Sequence, residues 1–343
     1  MQAQTLNAAL SAAEPSSKLL VSYRTALWLA LLTYPLVPNL LFHAAGLEGS
    51  IAAVTGFLLV YAWAVSGPVM AWLALCEADR VRMNRAEHPQ LVKEAILAAI
   101  GAPFFVWSGV ALNWIHLGGH QAALWYLLLA AVAASRLLPT PQARLTRGDS
   151  LQRVHRISAI LLLLFGVAHV ANHLAAVDSL QAHVTVQNWM RTVYRQPVIE
   201  ALIVAAALSQ VVTGWLVVSR VRLQRSTRLR NLQVLAGSFL GMFFISHLTG
   251  VFSGRFVQHV DTTFSWATGG PHGLLTNPRS PSMVPYYSLA VLAFSIHAAT
   301  AGRWTLAPLM GQPAALKLCY AGIALGAVLT LALLLPMAGI HLG

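Results

Sequence analysis

Residues 157–176, ISAILLLLFGVAHVANHLAA, form an apolar stretch of twenty residues without an acidic, Lys or Arg side chain. A membrane-spanning helix needs about 20 mostly apolar residues, so this stretch predicts a transmembrane helix. His169 lies 12 residues into it, and His173 follows one helical turn later on the same face. An ionisable ring at membrane depth is costly, which makes both histidines candidate functional residues.

The rest of the chain has the same character, because 57% of its 343 residues are hydrophobic and only 9% are charged. Soluble domains carry about 25% charged residues. We therefore predict an all-α polytopic membrane bundle with about nine transmembrane helices. The nine apolar stretches are 20–43, 51–75, 95–115, 122–139, 157–176, 197–219, 232–253, 284–302 and 315–337.

The positive charges predict an orientation with the N-terminus inside and the C-terminus outside. With that orientation only four of the 22 Lys and Arg residues face the outer side, namely Arg191, Arg195, Arg255 and Arg279. Such an excess on the cytoplasmic side is the positive-inside pattern. It explains the net charge of +12 without a nucleic-acid partner. The Ala- and Leu-rich composition predicts a multi-pass protein of a bacterial inner membrane.

A polar, basic segment at 140–156, TPQARLTRGDSLQRVHR, divides the chain into two halves. We expect a four-helix membrane half at 1–139, a cytoplasmic linker at 140–156 and a five-helix half at 157–343. Two readings of the weak similarity between the halves stay open, an internal duplication or a chance match of apolar sequences. At a constant offset of 140 residues, the matching positions are Arg82 and Arg222, Arg85 and Arg225, Phe104 and Phe244, Phe105 and Ile245, and Trp107 and His247.

Two further histidines lie in apolar stretches, His247 in LAGSFLGMFFISHLTGVF and His297 in YYSLAVLAFSIHAATAG. At 1.5 Å per residue, His169 and His247 both fall about 18–22 Å from the cytoplasmic ends of their helices. His297 lies nearer the cytoplasmic face. Two histidines at one depth on different helices suit bis-histidine ligation of haem iron. The small residues around them that leave room for a porphyrin are Gly166, Ala168, Ala171, Ser246 and Gly250.

Other readings of these histidines remain open. The rings can instead hydrogen-bond between helices, as buried polar groups do in membrane bundles. A zinc site is less favoured, because no carboxylate or thiolate lies at the same depth. Cys76 and Cys319 form no CxxC motif, so the sequence gives no support for an iron–sulfur site of its own.

Residues 150–340 resemble the five-helix cytochrome b membrane subunits of succinate dehydrogenases and fumarate reductases. Four segments carry the resemblance: HRISAILLLLFGVAHVANH, YRQPVIEALIVAAALSQVVTGWL, FFISHLTG and FSIHAATAGRW. In that family a histidine eleven residues after the Ser of the first motif ligates haem, and Ser158 and His169 have this spacing. The resemblance implies that His169 and His247 are the axial ligands of one haem b.

The resemblance also implies further partners. His297 would be a ligand of a second haem, but its partner position holds Gln210 instead of His, which argues against that haem. His155 and Arg156 match the motif near a quinone site, where they would contact quinone or a haem propionate. His173 is a further haem contact candidate. The function so implied is single-electron transfer to or from quinone, with flavin or iron–sulfur dehydrogenase subunits at the cytoplasmic face.

A second resemblance points elsewhere. Fungal mitochondrial outer-membrane proteins of lipid homeostasis have a similar HR-x-[ST]-[GA] start and a YR-x-P-x-x-E segment, present here as Tyr194, Arg195, Pro197 and Glu200. This resemblance implies a non-redox membrane protein for lipid homeostasis or scaffolding, with structural histidines. Under either resemblance, the negative charge of Glu200 in the first turn of a helix is favourable to the helix dipole, which is a structural role. The alternative role of Glu200 is proton delivery to a quinone. The Gly- and Pro-rich loop 254–284 is expected to cap the outer haem edge or to contact a partner.

Overall fold

The computed structural model describes residues 18–45, 51–84, 86–137, 150–220, 226–270, 272–275 and 281–342, and all regular structure in these ranges is helical. The helices are α1 (Lys18–Thr33), α2 (Val37–Ala45), α3 (Ile51–Arg80), α4 (His88–Ala99), α5 (Gly101–Trp114), α6 (Gln121–Ala134), α7 (Ser150–Asp178), α8 (Leu180–Tyr194), α9 (Pro197–Arg220), α10 (Arg228–Phe252), α11 (Phe264–Ala267), α12 (Met283–Met310) and α13 (Gln312–Met337).

Seven of the described segments are long and apolar enough to cross a membrane. They are α1 with α2 as one 28-residue unit, α3, α7, α9, α10, α12 and α13. The prediction of an all-helical, multi-pass membrane bundle is thereby confirmed at this coarse level. The count of nine crossings and their orientation stay predictions.

The third predicted crossing is a bent pair of helices, because α4 and α5 meet at an angle of 62°. Pro103 lies in the first turn of α5, and its missing N–H leaves the carbonyl at the end of α4 without a helical partner. Gly101 stands at the bend, where a Cβ would approach the Tyr34 ring to 3.2 Å. At the fourth predicted crossing the structure describes an apolar helical segment over Gln121–Leu137, the last three residues of which form a 3-10 turn.

The sequence did not predict α8, which lies between two long helices. Ser179 begins it by accepting a hydrogen bond from the Ala182 amide at 3.1 Å, as an N-cap residue does. One face of α8 buries His183 and Gln187. The opposite face exposes Trp189 and Val193. α8 is too short and too polar to be among the membrane-spanning candidates.

The bundle is centred on α10, the most buried of the spanning candidates. It packs against α12, α5 and α9, and also against α3 and α4. The largest hydrophobic core therefore combines helices of both halves of the chain, from Leu27 through Trp125 to Phe239 and Ile296. α7, α9 and α13 lie at the periphery with exposed apolar side chains such as Leu164, Val212 and Leu331, as expected for lipid contact.

α12 and α13 form a tight antiparallel pair joined by Gly311 alone, which adopts a φ of +83°. Their contact is made through Gly322 and Gly326. A Cβ on Gly322 would lie 3.0 Å from Ala299, and one on Gly326 would collide with Ser295. Small residues four positions apart permit this close approach of membrane helices.

Part of the predicted linker is helical. α7 begins at Ser150, so residues 150–156 are helical, whereas residues 140–149 lie outside the described ranges. Arg85, Arg222 and Arg225 also lie outside them. The division into two halves and their duplication remain predictions.

Candidate functional site

His169 and His173 form the first part of the site, on α7. Their Nε2 atoms lie 3.2 Å apart, within hydrogen-bonding distance, and their ring centroids are 4.5 Å apart at 81°. Phe165, one turn earlier, stacks on His169 with ring centroids 5.4 Å apart. The 3.6-residue period of the helix thus aligns three rings on one face.

His247 on α10 forms the second part. Its ring centroid lies 6.2 Å from that of His169, with an angle of 67° between the ring planes. Phe243, one turn earlier on α10, stacks on His247 at 5.3 Å. The two histidines paired by their depth in the sequence are therefore neighbours, each supported by a phenyl ring of its own helix.

His183 on α8 extends this group, and sequence reasoning missed it together with α8. It is fully buried, and its Nε2 lies 3.2 Å from Nδ1 of His173. The Asn172 amide lies 3.4 Å from the same Nε2. Two features could have indicated α8 and its buried histidine: Ser179 as an N-cap residue, and the amphipathic pattern that places His183 on one face. We refer to His169, His173, His183, His247 and Asn172 as the histidine cluster.

The hydrogen bonding of the histidine cluster is incomplete. His173 uses both ring nitrogens, one toward His169 and one toward His183. By contrast, Nδ1 of His183 and Oδ1 of Asn172 are buried without a partner among the described residues. Burial lowers the pKa of His183 to about 4, so its ring is neutral near pH 7. Buried polar atoms without partners are uncommon in structures and call for an explanation.

The segment that follows α10 covers the cluster from one side. The Phe264 ring lies 4.9 Å from that of His183 and 5.8 Å from that of His173. Arg191 of α8 ties this segment down, since its guanidinium donates to both Asp261 carboxylate oxygens at 2.9 and 3.0 Å. This ion pair lowers the pKa of Asp261 below its usual value. The described part of loop 254–284 thus covers the histidine cluster, while residues 271 and 276–280 lie outside the description.

Glu200 forms an ion pair with Arg255 and lies in the first turn of α9. Its place at the helix N-terminus agrees with the structural reading of this residue. Proton delivery by Glu200 to a quinone stays a prediction.

The spacing of His169 and His247 can be compared with the demands of a bis-imidazole metal. An imidazole nitrogen binds a transition metal at about 2.0–2.1 Å, which places the centroids of two opposed axial rings about 6 Å apart. The observed 6.2 Å fits this requirement. In this structure Nε2 of His169 is in contact with His173. To bind a metal through Nε2, His169 would have to give up that hydrogen bond.

The room for a porphyrin around His169 and His247 is less clear from the packing. α7 packs closely on α9, α8 and α13, and no comparably close contact joins it to α10 in the described ranges. α7 and α10 meet through side chains such as His169 and His247. Gly166 was expected to leave room for a porphyrin, but the Phe294 ring lies against it, 2.7 Å from where a Cβ would be. Gly250 has more room, because its nearest such neighbour is Trp266 at 4.0 Å.

His297 lies away from the histidine cluster. Its Nδ1 is 3.0 Å from the Gln233 carbonyl oxygen, and its ring rests on Gly237. Gly237 is ten residues before His247, about 15 Å along α10. This agrees with the expected depth of His297 nearer the other face.

The residues implied for quinone or a second haem lie near that same end. Gln210 donates from its side-chain amide to the His155 carbonyl oxygen and to the Ser158 hydroxyl at 2.7 Å. Nδ1 of His155 lies 2.8 Å from the Thr213 hydroxyl. Arg156 is exposed and contacts the Gln152 carbonyl oxygen of its own helix. Gln210 therefore links α9 to α7.

Among the described residues, no group of three or more His, Cys, Asp or Glu side chains is arranged to hold a metal ion by itself. A bis-histidine haem needs only two protein ligands, so this finding does not bear on it.

No protein-family model matches the chain, and neither a curated protein nor a solved structure matches it.

Proposed function

We propose that this membrane protein binds one b-type haem between His169 and His247 and passes single electrons through it. The observation that carries the proposal is the 6.2 Å separation of these two rings on different helices, which suits two opposed axial ligands. The haem would supply the one-electron chemistry, and the chain would supply binding, orientation and electrostatics.

The surrounding residues support this role. Phe165 and Phe243 stack on the two candidate ligands and limit the rotation of each ring. Phe264 covers the polar side of the cluster and keeps water from it. A buried, apolar surrounding is one of the means by which a protein sets a haem potential.

The proposal extends to one haem per chain and to a respiratory setting. The hydrogen bonds of Gln210 to α7 argue against Gln210 as a second ligand beside His297. Transfer to or from quinone, a flavin or iron–sulfur partner subunit, nine crossings with the N-terminus inside and a bacterial inner membrane belong to the same proposal. They rest on the sequence resemblance and the charge distribution.

A difference spectrum of the purified protein, dithionite-reduced minus oxidised, tests the proposal. We expect a b-type α-band at one haem per chain in the wild type, and its loss in His169→Ala and in His247→Ala. His297→Ala and the exposed His120→Ala serve as controls and should keep the band. A colourless, folded wild type overturns the proposal, and loss of the band in His297→Ala overturns the choice of ligands.

A second candidate function follows from the hydrogen bonds within the cluster. His173 bridges His169 and His183, and so links α7 to α8. Such bonds hold membrane helices together, which favours a non-redox protein for lipid homeostasis or scaffolding. A colourless protein whose thermal stability falls in His173→Ala, but not in His120→Ala, would support this candidate.

A further inference from the structure

Arginines gather at the outer side of the histidine cluster. With the proposed orientation the outer face has only four Lys or Arg residues. Arg191 and Arg195 both lie next to Asp261, and Arg195 also contacts the Thr262 hydroxyl. Arg255 pairs with Glu200. Lys and Arg are uncommon on this side of a membrane protein, and three of the four lie together here.

Arg191 has one donor that its contacts with Asp261 and Thr262 do not use. Its Nη atoms donate to Asp261 and to the Thr262 carbonyl oxygen, whereas its Nε is buried without a partner among the described residues. An arginine fork can hold a carboxylate through two parallel hydrogen bonds. The free Nε is therefore available to a second anion.

The position of Arg191 links it to the proposed haem ligands. Its guanidinium contacts the Tyr194 hydroxyl group, and the Tyr194 ring meets that of Phe165 at 5.8 Å. Phe165 in turn stacks on His169. Arg191 is also close enough to His183 to interact with it electrostatically.

The local charges leave room for one more negative group. Arg191 and Arg195 share the single carboxylate of Asp261, so the trio has one uncompensated positive charge. One additional carboxylate would neutralise it. The neighbouring pair of Arg255 and Glu200 is already balanced.

We propose that Arg191, assisted by Arg195, binds a carboxylate side group of the haem held by His169 and His247. This inference rests on the proposed function and names a contact of the same site. It places the carboxylate at the outer end of the cluster, away from His155 and Arg156, the residues that the family resemblance implied. If Arg191 served only to hold the Asp261 loop against α8, the Nε of Arg191 would stay unused.

Reconstitution of the haem-free protein with two probes tests the inference. The probes are iron protoporphyrin IX and its dimethyl ester, which keeps the porphyrin but has no carboxylate. We expect the wild type to bind the free acid at least about tenfold more tightly, since hydrogen bonds to charged groups are among the stronger ones. Arg191→Gln should lose this preference while still binding the ester. Arg255→Gln, which removes a balanced outer cation, should keep the preference.

The possible outcomes separate the two proposals. A wild type that binds neither probe overturns the proposed function. A wild type that binds both equally well overturns the arginine contact and leaves the haem proposal standing, and this result needs no variant to fold. Equal loss of preference in Arg191→Gln and Arg255→Gln would assign the effect to the general outer charge, and would also overturn the inference.

Discussion

The histidine cluster and the surroundings of Glu94 are both buried polar centres, but only one of them is complete. Glu94 of α4 is fully buried, and Arg24 donates to both of its carboxylate oxygens at 2.9 Å. Arg136 and Gln90 donate to one of the same oxygens. The histidine cluster instead contains two buried atoms without partners among the described residues.

The difference shows how a buried polar group is assigned a role. The carboxylate of Glu94 has its hydrogen bonds within the chain, and these bonds join α1, α4 and the end of α6. Such a centre fixes the packing of helices. The histidine cluster leaves bonding capacity unused in the same bundle, which costs free energy unless a ligand or a proton supplies the missing partner. We therefore interpret the first centre as structural, and the second is the one for which we propose a function.

The largest expected effect is on stability, from Glu94→Gln. The change leaves Arg24 and Arg136 without their buried counter-ion, and breaking such a pair costs about 3 kcal/mol in the free energy of unfolding. Thermal and denaturant unfolding in detergent measure it. Glu87→Gln is the control: Glu87 is exposed and also interacts electrostatically with Arg24, but solvent screening should keep its effect on stability small. Unaltered stability of Glu94→Gln would contradict the structural role.

A smaller effect is expected from His173→Phe in the histidine cluster. The phenyl ring keeps the shape, and the loss of two hydrogen bonds should lower the unfolding free energy by only about 1 kcal/mol. The haem band should persist, because His169 and His247 are untouched. His43→Phe at an exposed position controls for the substitution itself. A loss as large as that of Glu94→Gln would show that the cluster is as structural as the glutamate centre.

The smallest effect concerns pH and the segment that covers the cluster. Arg191 lowers the pKa of Asp261 in the folded protein, so this ion pair stabilises the folded segment above the ordinary Asp pKa of about 3.9. Its contribution is lost as the pH falls through that value toward the lower folded pKa. The protection of residues 258–268 against hydrogen exchange, relative to the intrinsic rate at each pH, should therefore fall below about pH 4. It should fall less in Asp261→Asn, where the interaction is already missing, and high salt should reduce the difference. Identical pH profiles for the two proteins would refute the role of the pair.

The sequence predicted the part of the site that depends on long apolar helices. α7, α10 and α12 are continuous, so a rise of 1.5 Å per residue was enough to place His169 beside His247 and His297 apart from them. The direction of each ring follows from the 3.6-residue period, which also puts His173 next to His169. These features depend on local geometry alone.

The missed features depend on contacts between distant parts of the chain. His183 lies on a short amphipathic helix that is too short and too polar to be predicted as a membrane span. Glu94 is buried only because Arg24 and Arg136 reach it from helices 70 and 42 residues away. Phe294 of α12 fills the space at Gly166 of α7. No local sequence pattern around Gly166 indicates that contact.

The glycine seam between α12 and α13 makes this pair a self-contained hairpin within the bilayer. Its cohesion comes from the close packing of the α13 backbone at Gly322 and Gly326 on Ala299 and Ser295 of α12, and the covalent link at Gly311 adds little to it. A chain cut at Gly311 and expressed as two pieces should therefore reassemble in the membrane, which would let α13 be labelled or exchanged independently of the rest of the protein.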